Sequence, residues 1–276
     1  MSFKKIITTV TVLLVLSQVK AQEKVIEKTP ITIGESVTLH SEILDENRTL
    51  NIYLPQEYTA DSTKTYPVIY LLDGSMDEDF IHISGLVQFG SFSWINMIPE
   101  TIVVGISNID RKRDFTFPTT IKKHKTEFPT TGGSEKFIKF IETELQSFIN
   151  SNYNVNDTKT IIGQSLGGLL ATEILYKKPE LFNNYIIISP SLWWDNQSLL
   201  KLKPKAYTTE KKIYIAVGKE GKVMEKDAEN LYKTLDTDKK ENTTIHFSFF
   251  KELDHGDTLH LAVYTAFEAL FRSKKN

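Results

Sequence analysis

Ser165 sits in the run Gly163-Gln164-Ser165-Leu166-Gly167, followed by a further glycine, Gly168. The pattern G-x-S-x-G suits a serine held on a sharp turn between a strand and a helix, its hydroxyl raised to attack a carbonyl carbon. Glycines that let a helix approach a strand closely produce the same pattern, so the bare motif leaves both readings open. A hydroxyl is a weak nucleophile until a base takes its proton, which calls for a histidine. His40, His82 and His124 precede the serine, while His246, His255 and His260 follow it. His246 falls within a strand-like run and His260 on a helix-like one; His255, in KELDHGDTLH beside Gly256, falls in the loop between them. A carboxylate must then orient the imidazole and stabilise its charge. After a strand ending at Gly218, the first carboxylate is Glu220; Glu225 and Asp227 follow on a helix-like stretch. Glu220 is the acid this spacing favours, with Glu225, Asp227 or no acid at all as alternatives. Asp257 lies too close behind His255 to bond its ring easily.

A tetrahedral oxyanion needs donors. A helix beginning at Leu166 aims its first amides at the serine, so the Leu166 N–H is one. The second is expected from the loop LLDGSMDEDF, where Gly74 lets the backbone turn and Ser75, or Met76 beside it, presents an N–H. Gly163 and Gly167 are expected to permit the turn and Gly168 to serve helix packing. The arrangement predicts that Ser165 Oγ lies within hydrogen-bonding reach of a His255 ring nitrogen.

The elements that must hold these residues are legible as alternating patterns. SVTLHSEIL (36–44) and RTLNIYLP (48–55) alternate apolar and polar residues around DEN, which predicts an antiparallel hairpin. PVIYLLD (67–73), TIVVGI (101–106), TKTIIG (158–163), NYIIIS (184–189) and KIYIAVG (212–218) are short, nearly continuous apolar runs, as in strands buried on both faces. Between them, GSEKFIKFIETELQSFINSNY places Phe137, Ile138, Ile141, Leu145, Phe148 and Ile149 on one helical face, and GGLLATEILYKKP stops at Pro179. TTIHFSFF (243–250) and GDTLHLAVYTAFEALFR (256–272) close the chain as strand and helix. The fold class is α/β: a mostly parallel sheet with an N-terminal antiparallel hairpin and helices on both faces.

The chain has 276 residues, 40% of them hydrophobic and 25% charged, which suits one large α/β domain. Lys4 and Lys5 precede the apolar run Ile6–Leu16, and Val19 and Ala21 supply the small residues of a cleavage site. Residues 1–21 are therefore expected to be a signal peptide cut after Ala21, leaving 22–276 as a single domain in the periplasm or outside the cell. The apolar run is shorter than the roughly 20 residues a membrane span needs, so no stable anchor is expected after cleavage. Loss of Lys4, Lys5 and Lys20 with that segment takes the formal charge from −2 to −5, and no basic patch suggests nucleic acid. The chain has no cysteine, which excludes a thiol nucleophile and cysteine-based metal sites. No metal or organic cofactor is implied.

YPVIYLLDG, IVVGISNIDRKRDFTFP, TGGSEKFIKFIETEL, IIGQSLGGLLATEILYKKPELFNNYIIISPSLWW and ELDHGDTLHLAVYTAFEALF together resemble an esterase family of α/β-hydrolases, in the branch with enterochelin- and bacillibactin-type siderophore esterases. The resemblance runs from about Ser36 to Phe271. It implies an α/β-hydrolase fold and a Ser–His esterase site that carries over to Ser165 and His255, with Glu220 in the region where an acid often completes the triad. It also implies a small-molecule ester as partner: a siderophore-type trilactone, or alternatively a carbohydrate-linked acyl, feruloyl or acetyl ester. A non-catalytic binding protein on the same fold is the alternative of another class. In relatives, the stretch holding Arg111, Arg113 and Asp114 and the pair Trp193 and Trp194 help shape the substrate cleft, which makes Arg113, Trp193 and Trp194 candidate substrate contacts. Read from the residues alone, paired tryptophans suit core packing and Arg113 suits a local pair with Asp114.

Overall fold

The computed structural model describes residues 27–237 and 239–272; the expected signal peptide and its cleavage point lie outside the described residues. Residues 27–32 belong to a separate unit and contain no helix or strand. From Ile33 onward, eight strands form one sheet in the order β1-β2-β4-β3-β5-β6-β7-β8. The hairpin is β1 (Gly34–Ser41) and β2 (Glu46–Tyr53), paired antiparallel, and β2 is also antiparallel to β4 (Ile102–Ile106). The remaining pairs are parallel: β4 with β3 (Tyr66–Leu71), then β5 (Val155–Gln164), β6 (Asn184–Ile188), β7 (Lys211–Gly218) and β8 (Thr243–Phe250). Each expected strand is present, shifted by a few residues at its ends.

Side chains alternate between the two faces of the sheet. Val68, Tyr70, Val104, Ile161 and Ile187 join one core cluster, which includes Phe137, Ile141 and Leu145 from the helical run Ser134–Asn152 and Leu169 and Ile174 from the helix after Ser165. Ile69, Leu71, Val103, Ile162 and Ile186 join the other, which is closed by α1 (Phe80–Ser91) and the C-terminal helix. Burial on both faces is why the central strands read as continuous apolar runs. Full burial of each such Val, Leu or Ile stabilises the fold by about 1.5–3 kcal/mol.

In chain order the other helices are α2 (Arg111–Phe115), α3 (Lys122–Glu127), α4 (Ser134–Phe140), α5 (Gln146–Asn152), α6 (Leu166–Lys177), α7 (Lys222–Thr237) and α8 (Thr258–Phe271). A π-type turn at Ile141–Leu145 joins α4 to α5, so the single helix expected over this stretch carries one wider turn. Among the described residues no helix is long and apolar enough to cross a membrane.

Candidate active site

Parallel strands bring their carboxyl ends to one edge, and three neighbours there finish in a left-handed residue that is not glycine. Asp73 (φ 56°) follows β3, Ser165 (φ 59°) follows β5 and Ser189 (φ 44°) follows β6. Each such backbone costs on the order of 1–3 kcal/mol and persists only where its surroundings fix it, which is typical of functional sites.

At the elbow the surroundings are visible. The Ser165 N–H donates to the Ile188 carbonyl at 3.0 Å, and the Ser165 carbonyl accepts from Ser191 N–H at 2.9 Å and Leu169 N–H at 3.0 Å. A Cβ on Gly163 would stand 2.4 Å from the Gly167 carbonyl oxygen, so this position requires glycine. One on Gly167 would meet nothing nearer than 3.4 Å; the expectation that Gly167 is needed for the turn is therefore corrected. Gly168 packs as expected, its added Cβ 3.0 Å from the Ile188 carbonyl and the Pro190 Cα. The Leu166 N–H, in the first turn of α6, lacks an intrahelical acceptor and points from the positive end of the helix beside the serine.

The acid and the histidine come from the two later strand ends. The His255 Nδ1 lies 2.5 Å from Glu220 Oε2, while Glu220 Oε1 accepts from Ser189 Oγ at 2.5 Å and from Gly218 N–H at 2.8 Å. Burial pushes the Glu220 carboxyl up, but hydrogen bonds from His255, Ser189 and the Gly218 amide outweigh it and hold the pKa below its ordinary value. Glu225 instead accepts from Gly221 N–H, and Asp227 faces Gln197. Asp257 accepts from Asp254 N–H and so shapes the loop behind the histidine. Gln164 Nε2 donates to the His255 carbonyl at 2.6 Å, tying the histidine loop to the elbow.

Ser165, Ser191, Trp193, Lys219, Glu220, Met224, Asp254 and His255 line one cleft of about 630 Å³. Within it the Ser165 hydroxyl partners Ser191 Oγ at 3.3 Å, and among the described residues it makes no hydrogen bond to His255. The expected direct Ser165–His255 bond is therefore not formed. The imidazole is 47% exposed on its loop, with its Nδ1 on Glu220, while Gln164 holds the backbone carbonyl of the same residue.

Ser75 follows β3 but stands outside the ring of residues lining the cleft; its carbonyl accepts from Glu78 N–H. Asp73, two residues before it, accepts from Arg111 Nε at 2.6 Å and Nη2 at 2.9 Å, and from Asn108 at 2.7 Å. Arg111 Nη2 also reaches the Gln164 carbonyl at 3.3 Å, joining the β3 loop to the elbow. Asp79 stands in this group; burial, Asp73 and Glu78 push its pKa to about 7 against the opposing pull of Arg111.

Two candidate substrate contacts are corrected. Arg113 is committed to Asp114 at 2.7 Å and to Glu46 at 2.6 Å, in a network with the fully buried Arg48, and lies outside the cleft lining. Trp194 has no exposed surface and its indole N–H donates to the Phe117 carbonyl at 2.9 Å, so it is core. Trp193 does line the cleft, against His124 and Phe128. Sequence reasoning passed over Gln164, Ser189 and Ser191. Gln164 had a findable signal, as the variable position inside the serine motif; Ser189 and Ser191 had none.

A mostly parallel sheet with helices on both faces, an antiparallel hairpin at one edge and a strand–turn–helix elbow at its carboxyl end is an α/β-hydrolase fold. Residues 41–268 match the family model described as "Putative esterase", and the chain belongs to that family. It is 36% identical over 169 residues to the ferri-bacillibactin esterase BesA of Bacillus subtilis; the match covers 57% of this chain and 58% of that relative. Among solved structures it resembles an IroE-like serine hydrolase from Shewanella oneidensis, with TM-score 0.78 and 30% identity over 86% of this chain and 80% of the other. It also resembles the BES protein from Bacillus cereus, with TM-score 0.76 and 27% identity over 92% and 100% of the two chains.

Proposed function

We propose that this protein is a serine ester hydrolase whose nucleophile is Ser165. The observation that carries the reading is the convergence on one cleft of a strained serine and a histidine hydrogen-bonded to a buried carboxylate. Rotation of the Ser165 side chain from Ser191 toward the second nitrogen of His255 delivers its proton as Oγ attacks the ester carbonyl. Glu220 fixes the ring tautomer and balances the imidazolium. The Leu166 amide, with a backbone donor of the Ser75 loop, holds the tetrahedral oxyanion, and His255 returns the proton to the departing alcohol. Water attacks the acyl-enzyme by the same steps in reverse, releasing the acid.

The substrate class is a siderophore-type lactone. Support comes from the relative that hydrolyses ferri-bacillibactin and from an open cleft with an aromatic wall at Trp193. Residues 1–21 direct export, and N-terminal sequencing of secreted protein should begin at Gln22.

The test is a panel of a catecholate trilactone, feruloyl sugar esters and acetyl sugar esters, run on wild type and Ser165→Ala, with fluorophosphonate labelling beside it. Preferred turnover of the trilactone, lost in Ser165→Ala together with labelling, is the expected result. Preference for a sugar ester overturns the substrate class; a folded wild type that is neither labelled nor active overturns catalysis and leaves a binding protein.

A further inference from the structure

The carboxylate of Glu220 hangs on three side-chain torsions, one more than an aspartate, and must present one particular oxygen to a half-exposed ring. Two donors on its other oxygen remove that freedom. The Gly218 amide is one, built into the turn that carries the acid. The second comes from a different strand: Ser189, just past β6, is wholly buried and gives its hydroxyl to Glu220 Oε1 at 2.5 Å. Its backbone is fixed by an N–H bond to the Ala216 carbonyl at 2.7 Å and takes the left-handed conformation that L residues avoid. Glycine adopts that conformation freely, so the presence of serine there calls for a reason in its side chain.

We propose that Ser189 is a positioning residue, whose hydroxyl aims Glu220 at His255. It touches neither the ester nor the nucleophile and acts through the acid alone, and its importance for turnover rests on the esterase reading above. With both donors on Oε1, the carboxylate plane is fixed and Oε2 faces Nδ1 of the ring.

Ser189→Gly separates the side chain from the backbone, because glycine keeps the φ of 44° while deleting the hydroxyl. The expected variant is folded with a melting temperature close to wild type. Its kcat falls about tenfold, the size of one hydrogen bond to a charged group, at nearly unchanged KM. The low-field NMR signal of the His255 Nδ1 proton, which reports its hydrogen bond to Glu220, weakens or moves upfield. A residue that merely supports the turn would leave that proton signal unchanged. If wild type turns over and labels while Ser189→Gly matches it in kcat and in the Nδ1 proton signal, the positioning role is overturned and the esterase reading stands. If wild type is inert to every ester and to the probe, yet the Nδ1 proton signal still changes in Ser189→Gly, the esterase reading falls and the positioning of Glu220 against His255 by Ser189 is upheld.

Discussion

The two halves of the cleft are built differently. The elbow is fixed by backbone: Ser165 is held by Ile188, Leu169 and Ser191 through main-chain bonds, and Leu166 just beyond it is buried. The histidine loop is fixed by side chains: His255 is half exposed and depends on Glu220 for its ring and on Gln164 for its carbonyl. Ser165 is thus set by the sheet itself, while His255 is steered by groups that single substitutions remove. This contrast also explains why the serine and histidine share a cleft without a direct hydrogen bond.

Substitutions in each half break or sharpen the comparison. Ser165→Ala should lower kcat by about 10³-fold or more while the circular dichroism spectrum and melting point stay those of wild type. Substantial residual turnover would move the chemistry elsewhere. Glu220→Gln should cost about 10²-fold or more in kcat, because the amide no longer balances the imidazolium; a loss confined to KM would assign Glu220 to substrate binding. Gln164→Ala leaves the elbow backbone in place and frees the histidine loop, so kcat/KM should fall about five- to tenfold, the size of one hydrogen bond. Amide exchange should accelerate at residues 253–257 and stay unchanged at 165–169; equal acceleration in both stretches would show that the halves are not independent.

The smallest effect concerns stability. Asp79 titrates at about 7 in the fold against 3.8 in the unfolded chain, so the folded state binds the extra proton between those values. Its contribution therefore weakens stability as pH rises from about 4 to 7, and the loss is complete above the folded pKa. Asp79→Asn, which mimics the protonated acid, should raise the melting temperature by about 3 °C at pH 8, roughly 1 kcal/mol in a domain of this size, and by less at pH 5. An equal gain at both values would place the effect in packing rather than charge.

Much of this was legible in the sequence, for reasons the structure makes explicit. β5 and α6 flank the serine because a continuous apolar run and a glycine-rich helix start are strong local signals. Glu220 was legible because it is the first carboxylate past β7, and geometry brings it rather than Glu225 or Asp227 to the ring. The error at Arg113 has a simple cause. Residues two apart on a helix lie about 200° apart, so Arg111 turns to Asp73 while Arg113 turns to Glu46 and Asp114. A five-residue helix is too short for its period to be seen in advance. Trp193 and Trp194 pose the same problem, since adjacent residues face different ways. The helix α1 was not assigned, although Phe80, Ile83, Val87 and Gly90 recur at helical spacing on its buried side; Gly85 and Gly90 blur the pattern. Ser189 was invisible because a left-handed serine carries no sequence mark.

The buried Arg48 sets an order of events in making the protein. Its guanidinium has no exposed surface and bonds Asp114, 66 residues further along the chain, at 2.5 Å. Strand β2 likewise finds β4 only after residue 106 exists. During synthesis from the N-terminus the first hairpin therefore waits with an unpaired edge, and with Arg48 matched by Glu46 alone, until α2 has emerged. A chain stopped before Asp114 should keep its opening strands unfolded, and one stopped just beyond it should begin to protect them from proteolysis.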